Sequence, residues 1–171
     1  MIPRTAVLFV FLVSAAVCDL RKRRIPNRLC LCGLIMGLVL QTVFGGGSGA
    51  LSGAAGMLVP AVILFPLFAL GALGAGDIKL FAVVGSFFGS AFVLRHIAAS
   101  MAVGGVCAVG ILVKNRNWKE RILYFFGYLK AGKGRGKYYD AARDGRQNTM
   151  HFSVPMALGF LIVVSSMNGG I

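Results

Sequence analysis

Residues 51–73 read LSGAAGMLVPAVILFPLFALGAL, and residues 74–79, which follow at once, read GAGDIK. The first stretch is uncharged from end to end and exceeds the roughly 20 apolar residues a helix needs to cross a bilayer's hydrocarbon core. The second changes abruptly to glycine, then to a carboxylate beside a cation. An unbroken apolar run of this length predicts a membrane-spanning helix. The pattern repeats outward in both directions, with further apolar segments at residues 2–18, 29–44, 78–94, 97–113 and 152–167. The 171-residue chain is 57% hydrophobic and 13% charged, against roughly 25% charged in soluble domains. The expected fold class is therefore all-α: a polytopic integral membrane protein with six transmembrane helices in one domain, 1–171. Despite a net charge of +13, this composition argues against a soluble nucleic-acid binder and against a disordered basic tail.

The breaks between segments are short. Gly45-Gly46-Gly47-Ser48-Gly49 predicts a tight turn, Gln41-Thr42 predicts that the second span ends near the boundary, and Arg95-His96 predicts a minimal polar hinge. Arg4 interrupts the first span and is placed to snorkel to the interface. The first segment has the shape of a cleavable signal, but the basic cluster Arg21-Lys22-Arg23-Arg24 directly after it is a stop-transfer pattern.

Cations set the orientation. Arg21, Lys22, Arg23, Arg24 and Arg28 lie between the first and second spans, Lys79 at the third connection, and ten more in loop 114–148, leaving Arg4 and Arg95 for the opposite side. Sixteen of the 18 thus fall on one face, which places the odd-numbered connections in the cytoplasm and both termini on the non-cytoplasmic side. Loop 114–148 begins with aromatics mixed with cations from Trp118 to Lys130, as an interfacial helix does, and continues as a glycine-rich basic linker. Contact with anionic phospholipids accounts for it; a lid or a docking surface for a partner is the other possibility.

In such a chain the rare charge is the acidic one. Glu120, Asp140 and Asp144 sit among the cations of the basic loop, where surface ion pairing explains them. Asp19 and Asp77 have no such cover. Asp19 follows the first span and Asp77 opens the fourth, so both are expected at the cytoplasmic boundary, at one depth. Two carboxyls within about 3 Å cannot both ionise, which yields a base to activate water and an acid to protonate a departing amine. Gly74 and Gly76 would let the backbone approach a substrate closely or take positive φ. Asp77 would sit at a helix N-terminus, where the helix dipole favours a carboxylate. A glycine-rich loop with a capping aspartate is also ordinary helix punctuation. Pro26 keeps Ile25 out of helical geometry, Asn27 is placed to cap the second helix, and Lys79 either holds the acidic pair or meets headgroups. Gly33-x-x-x-Gly37 and Gly85-x-x-x-Gly89 offer small faces for close helix packing. Pro155 is expected to loosen the start of the sixth helix.

Asp19, then Arg24-Ile25-Pro26-Asn27, then Gly74-Ala75-Gly76-Asp77-Ile78-Lys79 resembles the type IV prepilin peptidases, G-x-G-D aspartic peptidases of the bacterial inner membrane. The resemblance spans most of the chain. It implies that Asp19 and Asp77 are the catalytic pair, supported by Gly74, Gly76, Lys79, Arg24, Pro26 and Asn27, with no metal and no cofactor. It also implies a prepilin-like precursor as substrate, cut on the cytoplasmic side after a short basic leader. Larger members carry an added cytoplasmic segment, often with paired C-x-x-C cysteines, and also N-methylate the new terminus. The cysteines here, Cys18, Cys30, Cys32 and Cys107, form no such pairs. The chain therefore looks like the short form found with tight-adherence (Flp-type) pilus systems, which puts methyltransferase activity in doubt. The presenilin group shares G-x-G-D, but its first Asp follows Tyr where Cys18 stands here, and Val154-Pro155-Met156-Ala157-Leu158 only faintly echoes its P-A-L element. Two readings from other classes stay open: a small proton- or cation-coupled transporter using the same acids, and a non-enzymatic pilus-assembly subunit.

Overall fold

In a computed structural model, the described residues are 2–22, 25–114 and 152–168. Arg23, Arg24 and nearly all of loop 114–148, named above, lie outside them. Among the described residues every regular element is helical, with no strand. The helices are α1 (Ile2–Lys22), α2 (Asn27–Ala69), α3 (Ala75–Phe88), α4 (Ser90–Lys114) and α5 (Ser153–Asn168). Two helical stretches, Asn27–Ala69 and Ser90–Gly110, are long and apolar enough to cross a membrane, and Ser153–Met167 is a shorter apolar one.

α2 is two helices joined at one residue. Gly46 has φ 60° and ψ −148°, a conformation that costs glycine little and a side-chain-bearing residue much. The limbs on either side fold back on each other, so that a β-carbon on Gly53 would lie 3.2 Å from Leu38 and 3.3 Å from Gln41. The five-residue turn expected at 45–49 thus narrows to a single pivot, and helical geometry continues through Gln41-Thr42. The second limb closes with the amide of Ala72 donating to the Leu67 carbonyl and that of Gly71 to the Phe68 carbonyl, both 2.9 Å, a Schellman arrangement.

The expected hinge at Arg95-His96 does not exist. The break falls at Gly89, with φ 81° and ψ −177°, and α4 runs unbroken through the pair. A polar pair does not end a helix; a residue in left-handed backbone does. Arg95 is exposed, while His96 is fully buried and bonded to the Met156 carbonyl of α5 at 2.9 Å. Pro155 does not loosen α5 either, because it lies in the first turn, where an absent N–H has no intrahelical partner to lose.

α3 forms the centre. Leu80, Phe81, Val83, Val84 and Phe87 are buried almost completely, with Leu8, Leu64, Met156 and Phe160 packed around them. An aromatic cluster ties α3, α4 and α5 together, Phe88 stacking on Phe92 at 4.5 Å between centroids and Phe81 meeting His96 edge-on at 5.2 Å. The small faces are used for close packing. Gly33 lies against Phe11 and Val83, and Gly56 lies so near Gly85 that a methyl group on either would overlap the other's carbonyl oxygen. At the opposite end from Asp19, the Arg4 guanidinium donates to Gln41 Oε1 at 2.8 Å and to the Leu40 carbonyl at 3.1 Å, and stacks over Phe44. Arg4 therefore pins α1 to the first limb of α2 as well as reaching the end of the bundle.

Candidate active site

One end of the bundle gathers the last turn of α1 and the first turns of α2, α3 and α5. α2 starts at Pro26, whose extended backbone (φ −63°, ψ 130°) lets its carbonyl accept from the Leu29 amide at 3.0 Å. Proline suits a helix start because its missing N–H is not needed there. α3 starts at Gly74, also extended, whose carbonyl accepts from the Asp77 amide at 3.1 Å. The Asp77 carboxylate reaches back to accept the Gly74 N–H at 3.2 Å, the return half of a capping box.

Between these helix ends lies an open cavity of about 450 Å³, lined by Asp19, Ile25, Pro26, Asn27, Gly74, Gly76, Asp77 and Lys79. Asp19 and Asp77 come from different helices and are both half-buried. Asp77 precedes the apolar run that begins at Ile78, and its carboxyl is pushed up to about 6. Burial is the largest cause; the hydrogen bond from Gly74 works the other way, and the negative charge of Asp19 raises it further. A carboxyl in that range is about half protonated near pH 6 and can give its proton up, as a general acid must.

The site residues expected from sequence converge here, Arg24 excepted, but not always in the expected manner. Asn27 does not cap α2: it is the first helical residue, and its Oδ1 accepts from Lys79 Nζ at 2.8 Å. Lys79 thus joins the α3 start to the α2 start. The glycines do not take positive φ, since Gly74 has φ −81° and Gly76 is not among the positive-φ glycines. They serve close approach instead: a β-carbon on Gly76 would lie 3.3 Å from Ile25 Cδ1, and one on Gly74 3.1 Å from Asp77 Oδ2. Asp77 is the third residue of α3, and Gly74 rather than the aspartate is its cap.

One contact was not foreseen. Ser153, at the start of α5, donates from Oγ to Asp19 Oδ2 at 2.7 Å. Its only sequence signal is position, at the beginning of a segment that starts on the same face as both acids.

Comparison with known proteins places the sequence in a family. No solved structure matches the chain. It is 30% identical over 158 residues to the prepilin leader peptidase/N-methyltransferase of Bacillus subtilis (strain 168), a match covering 90% of this chain and 60% of that protein. The chain therefore spans about 60% of the length of the curated relative it matches. Residues 6–109, which include both Asp19 and Asp77, match the type IV leader peptidase family. With more than half its length aligned to that family, the chain belongs to the type IV leader peptidases.

Proposed function

We propose that this protein is an aspartic endopeptidase of the bacterial inner membrane. It removes the short basic leader from type IV prepilin-like precursors at the cytoplasmic face. The observation that carries this reading is that Asp19 and Asp77, the two acids the basic loop does not explain, line one cavity from separate helices. Six apolar helical segments, counting the two limbs of α2, and cations gathered on one side support a topology with the cavity on the cytoplasmic side and both termini outside. Anionic phospholipids meet the basic surface there. The precursor's apolar helix lies in the bilayer while its leader stays in water, so the scissile bond comes to the level of the two carboxyls.

In the reaction the ionised member of the pair takes a proton from water, which attacks the scissile carbonyl, and the protonated member delivers its proton to the leaving amine. Lys79 and Asn27 bind each other across the cavity wall and hold the starts of α3 and α2 in register. Gly74 and Gly76 keep the wall thin, and Pro26 sets the turn that leads into it.

Co-expression with a prepilin-like precursor tests the assignment: the precursor is expected to shorten on a gel only when this protein is present. A precursor that stays full length while both proteins accumulate in the membrane would overturn it. The pH dependence gives a second expected result. With a carboxyl near 6 that must be protonated to act, cleavage falls as pH rises past about 6, approaching tenfold per unit. Initial rates between pH 5 and 8 in detergent check this, and a rate still climbing above neutrality would contradict the role given to Asp77.

A further inference from the structure

Ser153 is 2% exposed, and its hydroxyl reaches Asp19 Oδ2 at 2.7 Å across 134 residues of sequence. A buried hydroxyl costs free energy unless it is bonded, so the bond to Asp19 is what makes serine acceptable at that position. The height of this hydroxyl is set by the packing of α5 on α4. His96 is fully buried on α4 and lies 2.9 Å from the Met156 carbonyl. A carbonyl only accepts, so Nε2 is the donor. Met156 follows Ser153 by one turn, on the same side of α5. α5 is thus tied to α4 through His96 and to α1 through Ser153, and α1 rests more on α5 than on α2. Asp77 is held in a matching way, since the Gly74 amide donates to its Oδ2 at 3.2 Å. Each carboxyl of the pair therefore has one oxygen anchored by a donor from the framework.

We propose that Ser153 is a positioning residue for Asp19: its hydroxyl fixes the rotation of the Asp19 carboxylate. This rests on the assignment of Asp19 and Asp77 as the reacting groups. Ser153 lies outside residues 6–109, the part that matches the family.

The full-length protein in phospholipid vesicles, given a synthetic precursor, separates this role from simple packing. Ser153→Ala is expected to lower kcat by about tenfold or more, the worth of a hydrogen bond to a charged group, with KM changed by less than about twofold. Ser153→Thr keeps the hydroxyl and is expected to recover kcat to within about threefold of the parent. Ser153→Cys keeps the shape with a weak donor and is expected to fall with Ser153→Ala; it carries the test if the alanine variant does not accumulate. A parental kcat in Ser153→Ala or Ser153→Cys overturns the proposal, as does Ser153→Thr as slow as Ser153→Ala. Asp19→Asn run in parallel keeps the two assignments apart. If it is inactive while Ser153→Ala is unaffected, only the positioning role falls; if it cleaves fully, the pair itself is wrong.

Discussion

Asp19→Asn and Asp77→Asn are each expected to lower leader cleavage by about 10³-fold or more, with the protein still inserted and folded. The amide keeps the size of the carboxyl and an oxygen that can accept. The Gly74 N–H at the start of α3 and the Ser153 hydroxyl therefore keep an acceptor in the variants. What is lost is the proton exchange that makes one group a base and the other an acid. At Asp77 the sign of the stability change separates chemistry from folding. Its folded value of about 6 lies above the ordinary 3.8, so ionisation opposes folding as pH rises through that window. The neutral amide removes that opposition, and Asp77→Asn is expected to melt no lower than the parent at pH 7–8. Thermal unfolding in detergent beside a processing assay reads both quantities. An inactive variant that also melts far below the parent would point to a structural role; a stable variant that still cleaves would remove Asp77 from the chemistry.

The second large effect is on the fold. Gly56→Ala and Gly85→Ala are each expected to cost about 3 kcal/mol, the upper part of the usual range for overpacking. Here the added methyl meets backbone rather than a side chain that can rotate away: at Gly56 it would overlap the Gly85 carbonyl, and at Gly85 the Gly56 carbonyl. Relief requires α2 and α3 to separate, and α3 is the helix that carries Asp77 and lies at the centre of the core. Activity should therefore fall together with stability. Gly105 supplies the control, because a β-carbon there meets nothing within 4 Å. Gly105→Ala should be neutral or gain up to about 1 kcal/mol from the better helix propensity of alanine. Equal melting temperatures for Gly85→Ala and Gly105→Ala would mean that the α2–α3 contact is not as close as described.

The apolar segments were legible in sequence because hydropathy depends on each residue alone, and a bilayer enforces it over long runs. Asp19 and Asp77 were legible for the converse reason: a carboxylate next to hydrocarbon is expensive, so it stands out against its surroundings. What escaped prediction depends on partners distant in sequence. Arg95-His96 looked like a break because His96 is polar, yet its partner is a carbonyl 60 residues away, and that bond makes burial tolerable. Asn27 looked like a cap, but the cap position belongs to Pro26, and its side chain answers Lys79 across 52 residues. Ser153 carries no signal of its own in sequence, because its partner Asp19 lies 134 residues away. The break at Gly89 was open to prediction, since glycine is the residue that takes φ near 81° without strain. It was passed over for a polar pair whose signal was weaker.

The most direct test of the central claim is the product itself. Purified protein in phospholipid vesicles, incubated with a synthetic prepilin-like precursor near pH 6, should yield two fragments by mass spectrometry. They are the short basic leader and the mature chain, with masses summing to the precursor plus one water. The Asp19→Asn/Asp77→Asn double variant should yield neither. Fragments of the same masses from the double variant, or an intact precursor with the parent protein, would contradict the assignment of these two carboxyls as the peptidase site.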